Sequence, residues 1–146
     1  MDSTELQPGY TPKSSLFIEQ FLGKFSDWYP LGEISLENVP AQPGVYVIRV
    51  AGRKISRLRG KSDIMYIGSS TGKGGLKIRL GFYLRPGIRQ YTSQRINRMA
   101  KKYRMEISWC LYDKARILEH QLLERYEAQH DELPPLNRAK PMTLKF

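Results

Sequence analysis

Two short runs rich in β-branched and aromatic residues, Val45-Tyr46-Val47-Ile48-Arg49-Val50 and Ile64-Met65-Tyr66-Ile67-Gly68, flank a polar stretch. Runs of this kind read as strands, and two of them joined by one loop most simply form an antiparallel pair. Two strands alone are not stable in water, so the rest of the chain must supply a cover for them. Periodicity shows what that cover is. Leu76 to about Tyr83 forms a short helix, stopped by Pro86 and Gly87. Residues 92–103 form a second, with Ile96, Met99, Ala100 and Tyr103 in one apolar stripe. Met105–Leu111 reads as a third strand, with Ile107, Trp109 and Leu111 on one side, and residues 114–130 as a long last helix. Residues 1–13 look like a flexible arm. A helix then starts at Ser14 or Ser15, with Leu16, Phe17, Phe21, Leu22 and Phe25 at helical spacing. The predicted class is α+β: a small central antiparallel or mixed three-stranded sheet flanked by helices, with an extra N-terminal helix. The boundaries read as an arm and helix over 1–42, a main domain over 43–137 and a tail over 138–146.

Charge is distributed unevenly over this plan. The chain has 146 residues and a formal net charge of +10. Residues 1–48 carry net −4, residues 49–104 net +15, and residues 105–146 net −1. A basic block of this density most often faces a polyanion, and nucleic acid is the commonest one. The basic residues expected to hold a backbone are Arg53, Lys54, Arg57 and Arg59 in the inter-strand loop, Lys73, Lys77 and Arg85 around the first helix, and Arg95, Arg98, Lys101 and Lys102 on the second.

Several classes are set aside by composition. Cys110 is the single cysteine, so neither an internal disulfide nor a cysteine-based zinc cluster can form. That usage fits the reducing cytoplasm. No run approaches a membrane span, and MDSTELQPGY lacks the features of a signal peptide. His120 and His130 lie ten apart, which is no metal-pair spacing on a helix, and both read as surface residues. Gly68 to Lys73 superficially resembles a phosphate loop. It has three residues between its glycines where the Walker motif needs four, and Gly74 follows Lys73 where Ser or Thr is required.

One residue breaks its pattern. On the last helix, Ala115, Leu118, Leu122, Leu123 and Tyr126 fall within one apolar arc, and Glu119 falls inside it. Burying a lone carboxylate is costly. Glu119 must therefore meet a cation, a metal or a water-filled cleft, and an internal salt bridge to a central arginine is the bland alternative.

Tyr46 and Tyr66 sit in the two hairpin strands, twenty residues apart. The loop register decides whether they share a face. Gly44-Val45-Tyr46 followed by Tyr66-Ile67-Gly68 resembles the paired signature of the GIY-YIG nuclease superfamily. Arg79 and Tyr83, at i and i+4, resemble that family's helix arginine and its tyrosine or histidine partner. Glu119 resembles its metal-binding glutamate, and Pro134-Pro135-Leu136-Asn137 resembles its closing motif. Five motifs occur in the family's order over about residues 43–137. Val45 stands where the family name has isoleucine, and the loop between the signatures is long and very basic.

The resemblance implies a Mg²⁺-dependent (or Mn²⁺-dependent) hydrolase of DNA phosphodiester bonds, acting on double-stranded or branched DNA. Glu119 would bind the metal, since Mg²⁺ takes few carboxylates together with water and phosphate. Arg79 would bind a non-bridging oxygen. Tyr46 would activate water, a role that requires a lowered pKa or transfer through water. Tyr66 and Tyr83 would orient the nucleophile or phosphate, and Asn137 would brace the site. The chain ends soon after the last motif, without the appended domains of many relatives, which points to a stand-alone restriction- or repair-type enzyme. One site cuts one strand, and cutting both needs a dimer, two binding events or a turned complex. The alternative class is a nucleic-acid-binding module without catalysis.

Overall fold

The structure, a computed structural model, describes residues 25–138. The predicted N-terminal helix therefore lies outside the described residues, except for Phe25, and so does most of the tail. Phe25 is not helical. It begins an irregular segment whose Ser26 donates from its backbone N–H to Trp109 O at 2.7 Å.

The hairpin forms as expected. Strand β2 (Gly44–Val50) pairs antiparallel with β5 (Ile64–Ser70). Strand β6 (Met105–Leu111) pairs antiparallel with the other edge of β2, and the two-residue β1 (Tyr29–Pro30) adds to the far side of β6. The order is β1-β6-β2-β5. The sheet thus has four strands where three were expected, and all its pairings are antiparallel. The fourth strand was hidden in the sequence because two residues ending in proline carry no period to detect. Proline is tolerated there because β1 lies at the edge. The polar loop also folds back on itself as a small ribbon of β3 (Ile55–Ser56) and β4 (Lys61–Ser62).

The helices are α1 (Glu33–Asn38), which the sequence did not signal, α2 (Gly75–Leu84), α3 (Tyr91–Lys102) and α4 (Ala115–His130). Alternation along β2 divides the core in two. Tyr46, Ile48 and Val50 point to one face, where Leu76, Leu80 and Tyr83 of α2 and Ile96 of α3 cover them. Val45 and Val47 point to the other, against Ala115, Leu118, Leu122, Leu123 and Tyr126 of α4. A central strand buried on both faces loses the simple in–out alternation, and β6 shows the same effect. Met105, Ile107 and Trp109 join the first core, Ser108 and Cys110 are buried opposite, and Leu111, expected inside, is 42% exposed.

The sheet and its first core also draw on residues preceding 43. Tyr29 stacks on Trp109 at 5.0 Å, and Leu31 and Leu36 pack against the same cluster. Among the described residues, no helix is long and apolar enough to cross a membrane.

Candidate functional site

Register decides where the tyrosines go. Tyr46 pairs with Gly68 and Tyr66 pairs with Ile48, so both rings stand on the α2 face. Their centroids are 6.0 Å apart. Tyr83 reaches the same spot from α2, with its ring 5.7 Å from Tyr46 and 6.3 Å from Tyr66. Gly68 makes this approach possible. A Cβ at that position would lie 2.6 Å from Tyr46 Cζ and 2.7 Å from Tyr66 Cε2, a separation that real atoms do not adopt. The glycine is required for the close approach of two rings rather than for an unusual backbone angle.

The hydroxyls of Tyr46 and Tyr83 hydrogen-bond to one another, and each residue is only 3% exposed. Burial holds both phenols well above their ordinary range; Tyr83 and Tyr66 push Tyr46 further up, while for Tyr83 the upward push of Tyr66 is opposed by the hydrogen bond to Tyr46. Tyr66 is half-buried, and its phenol is raised by burial and then by the charge of Glu119. Arg79, one turn before Tyr83 on α2, pulls all three phenols down, but as a lesser influence. The lowered pKa that the base role demands of Tyr46 is therefore absent here. Desolvation outweighs the arginine.

Glu119 is half-buried on α4, as its place in the apolar arc implied. Its partner is Ser69, whose hydroxyl donates to Oε1. Burial raises the Glu119 carboxyl, opposed by that hydrogen bond and by Arg116, Arg79 and His120. Among the described residues it forms no ion pair at contact distance with an arginine, so the bland alternative of an internal salt bridge is not the arrangement found. Sequence reading missed Ser69, taking it for the start of the glycine-rich turn. Strand β5 runs two residues further, and alternation from Ile67 would have put Ser69 on the α4 face.

Asn137 lies against the same strand. Its Nδ2 donates to Ile67 O at 2.9 Å, and its Oδ1 accepts from Ile67 N–H at 3.0 Å. β5 is an edge strand, so one side-chain amide serves there as a further strand would. Asn137 thus clamps the residue between Tyr66 and Gly68.

The basic residues divide into two sets. Arg57, with its side chain 10% exposed, donates to Leu133 O at 2.8 Å and pairs with Glu132 at 3.2 Å. Arg59 pairs with Asp131 at 3.1 Å and donates to Ala128 O. Lys77 donates to Leu36 O at 2.6 Å. These three have partners inside the fold, and the first two dock the β3–β4 ribbon onto the end of α4. Arg53, Lys54, Lys73, Arg85, Arg98, Lys101 and Lys102 are exposed, and Arg95 is partly so. His120 and His130 are more buried than surface residues. His120 pairs with Glu124 at 3.2 Å, and His130 Nδ1 bonds Arg59 O at 2.8 Å.

Comparison with protein-family models, with curated proteins and with solved structures gives no match to any of the three. The chemistry must be read from the site itself. Among the described residues no group of three or more His, Cys, Asp or Glu could enclose a metal. One desolvated carboxylate beside a hydroxyl suits a hard cation that keeps its waters and takes further oxygens from a phosphate. It does not suit zinc, which needs three or four protein ligands.

Proposed function

We propose that the chain is a divalent-metal-dependent DNA endonuclease of the GIY-YIG type. The observation that carries the reading is Glu119, a carboxylate drawn into an apolar helix face at the edge strand that bears Tyr66 and within electrostatic reach of Tyr66 and Arg79. A surface built only to hold nucleic acid has no use for a half-buried carboxylate, which repels phosphate. This weighs against the alternative of a binding module without catalysis.

Glu119 would hold Mg²⁺ or Mn²⁺, and the bound ion would supply Lewis-acid polarisation of the scissile phosphate and stabilise the leaving oxygen. Arg79 presents a planar donor fork to a non-bridging oxygen. Tyr66, the least buried of the three phenols, orients water through its hydroxyl. Tyr46 is neutral in the free protein. A neutral phenol takes up no net proton, so Tyr46 would act by orienting the attacking water, whose proton would leave to a phosphate oxygen of the substrate. Substrate would be double-stranded or branched DNA held by the exposed basic residues, with the chain acting as a restriction- or repair-type enzyme in the cytoplasm. Double-strand cutting would require a dimer or a second binding event.

Incubation of plasmid and branched DNA with Mg²⁺ tests this. Wild type should nick, EDTA should stop it, and Glu119→Gln should lower the rate about 100-fold or more while DNA affinity is kept, as expected for loss of a major electrostatic stabiliser. If wild type leaves duplex, branched and single-stranded DNA intact, the reading fails.

A further inference from the structure

Between α2 and α3 the chain turns through Arg85-Pro86-Gly87-Ile88-Arg89-Gln90 and presents two apolar side chains to solvent. Ile88 is 89% exposed and Tyr91 61%. Single exposed apolar residues are ordinary. What sets this loop apart is how firmly it is held. Gln94 donates from Nε2 to Gly87 O at 2.8 Å and to Ile88 O at 2.7 Å. Gln90 Oε1 accepts from Gly87 N–H at 2.8 Å, and Gln90 N–H donates to Gly87 O at 3.2 Å. Asn97 closes the end of α2 by donating to Tyr83 O at 2.9 Å and Leu84 O at 3.3 Å. Pro86 stiffens the turn further. A loop braced from three amide side chains is a rigid mount, and what it mounts is an isoleucine.

The surroundings say what such a tip would meet. Arg85 and Arg89, both exposed, flank it, and Arg98, Lys101 and Lys102 continue the positive charge along α3. An apolar point set among cations fits a partner whose apolar faces lie between anionic groups. Stacked bases between phosphates are that partner. The loop is also close to the site. Ile88 follows Tyr83 by five residues, so their Cα atoms lie within about 18 Å, which is about five base steps at roughly 3.4 Å each.

We propose that Ile88, backed by Tyr91 and flanked by Arg85 and Arg89, is a wedge that unstacks a base step of bound DNA near the scissile bond. This rests on the nuclease reading and deepens it, because it names how the substrate is selected. Unstacking costs a few kcal/mol at a paired step and less where the stack is already broken. The enzyme should therefore favour DNA with a mismatch, flap or junction a few base steps from the cut.

The test uses the full chain, with Ca²⁺ in place of Mg²⁺ to permit binding without cutting, and duplexes carrying 2-aminopurine at successive positions. Wild type should brighten the probe at one or two adjacent positions. Ile88→Ser touches no buried contact and should fold normally. It should bind within about threefold of wild type yet lose the brightening, and with Mg²⁺ it should cut a paired duplex about tenfold more slowly, with a mismatch at the wedged step restoring the rate. Wild type that binds and cuts without brightening any position overturns the wedge and leaves the nuclease standing. Equal brightening by Ile88→Ser also overturns it. So does sedimentation showing that Ile88→Ser converts a dimer to monomer, since the loop would then be a self-association surface. Wild type that fails to bind DNA at all removes both readings.

Discussion

The Tyr46–Tyr83 hydroxyl pair is buried among apolar groups, with the Tyr66 hydroxyl beside it as a second partner. Removing one hydroxyl of a buried, hydrogen-bonded set costs about 1–3 kcal/mol, whereas removing two that bond each other costs less than twice that. Tyr46→Phe and Tyr83→Phe should each lower the urea midpoint, and the double variant should lose less than the sum of the two. Additive losses would mean that the pair is not coupled. Both tyrosines could be picked out from their motifs. Their phenols' raised pKa could not, because it comes from desolvation by Leu76, Leu80 and Ile107, which reach the rings only once the sheet is covered. Glu119 was the opposite case. Its position in an apolar arc is a local property of one helix, so it stood out before any tertiary contact was known.

At the level of elements, those with strong periods appeared within a residue or two of their predicted ends. α2, α3, α4 and the three long strands all satisfy this. What escaped is short or non-local: β1, α1 and the ribbon β3–β4 have two to six residues each and depend on the surfaces they dock against. The ribbon is the clearest example. Its arginines looked like a free cationic loop until Asp131 and Glu132, some seventy residues on, were seen to meet them. His130 sits in that joint. Burial lowers its pKa first, and Arg57 and Arg59 lower it further, against Glu132 and its bond to Arg59 O. A histidine depressed in the fold binds protons more readily when unfolded, so its contribution is present above the unfolded pKa of about 6.5 and lost as pH falls through the folded value. Urea denaturation at pH 7.5 and 5.5 should show wild type losing more stability on acidification than His130→Asn. Identical losses would exclude His130 as the group responsible.

For the molecule as a whole, the net +15 block is a sum over two populations, and salt should separate them. Each phosphate contact contributes about 0.9 to the slope of log affinity against log salt. Changing Arg98, Lys101 and Lys102 together to alanine should reduce that slope by up to about 2.7. Arg57→Ala should leave the slope unchanged and lower stability by about 1–3 kcal/mol, since its guanidinium serves Glu132 and Leu133. An unchanged slope in the triple variant would move the proposed DNA path away from α3. The overall charge was legible from sequence alone. Its division between internal partners and exposed surface was not, because that depends on which acids the fold brings near. The clamp on β5 has a consequence in time. Asn137 lies 70 residues after Ile67. At a synthesis rate of about 5–20 residues per second, the outer edge of that strand waits roughly 3.5–14 s for its cap. An uncapped edge is a template for pairing with another chain. The interval in which this edge stands open is therefore set on the ribosome, by the length of chain between Ile67 and Asn137.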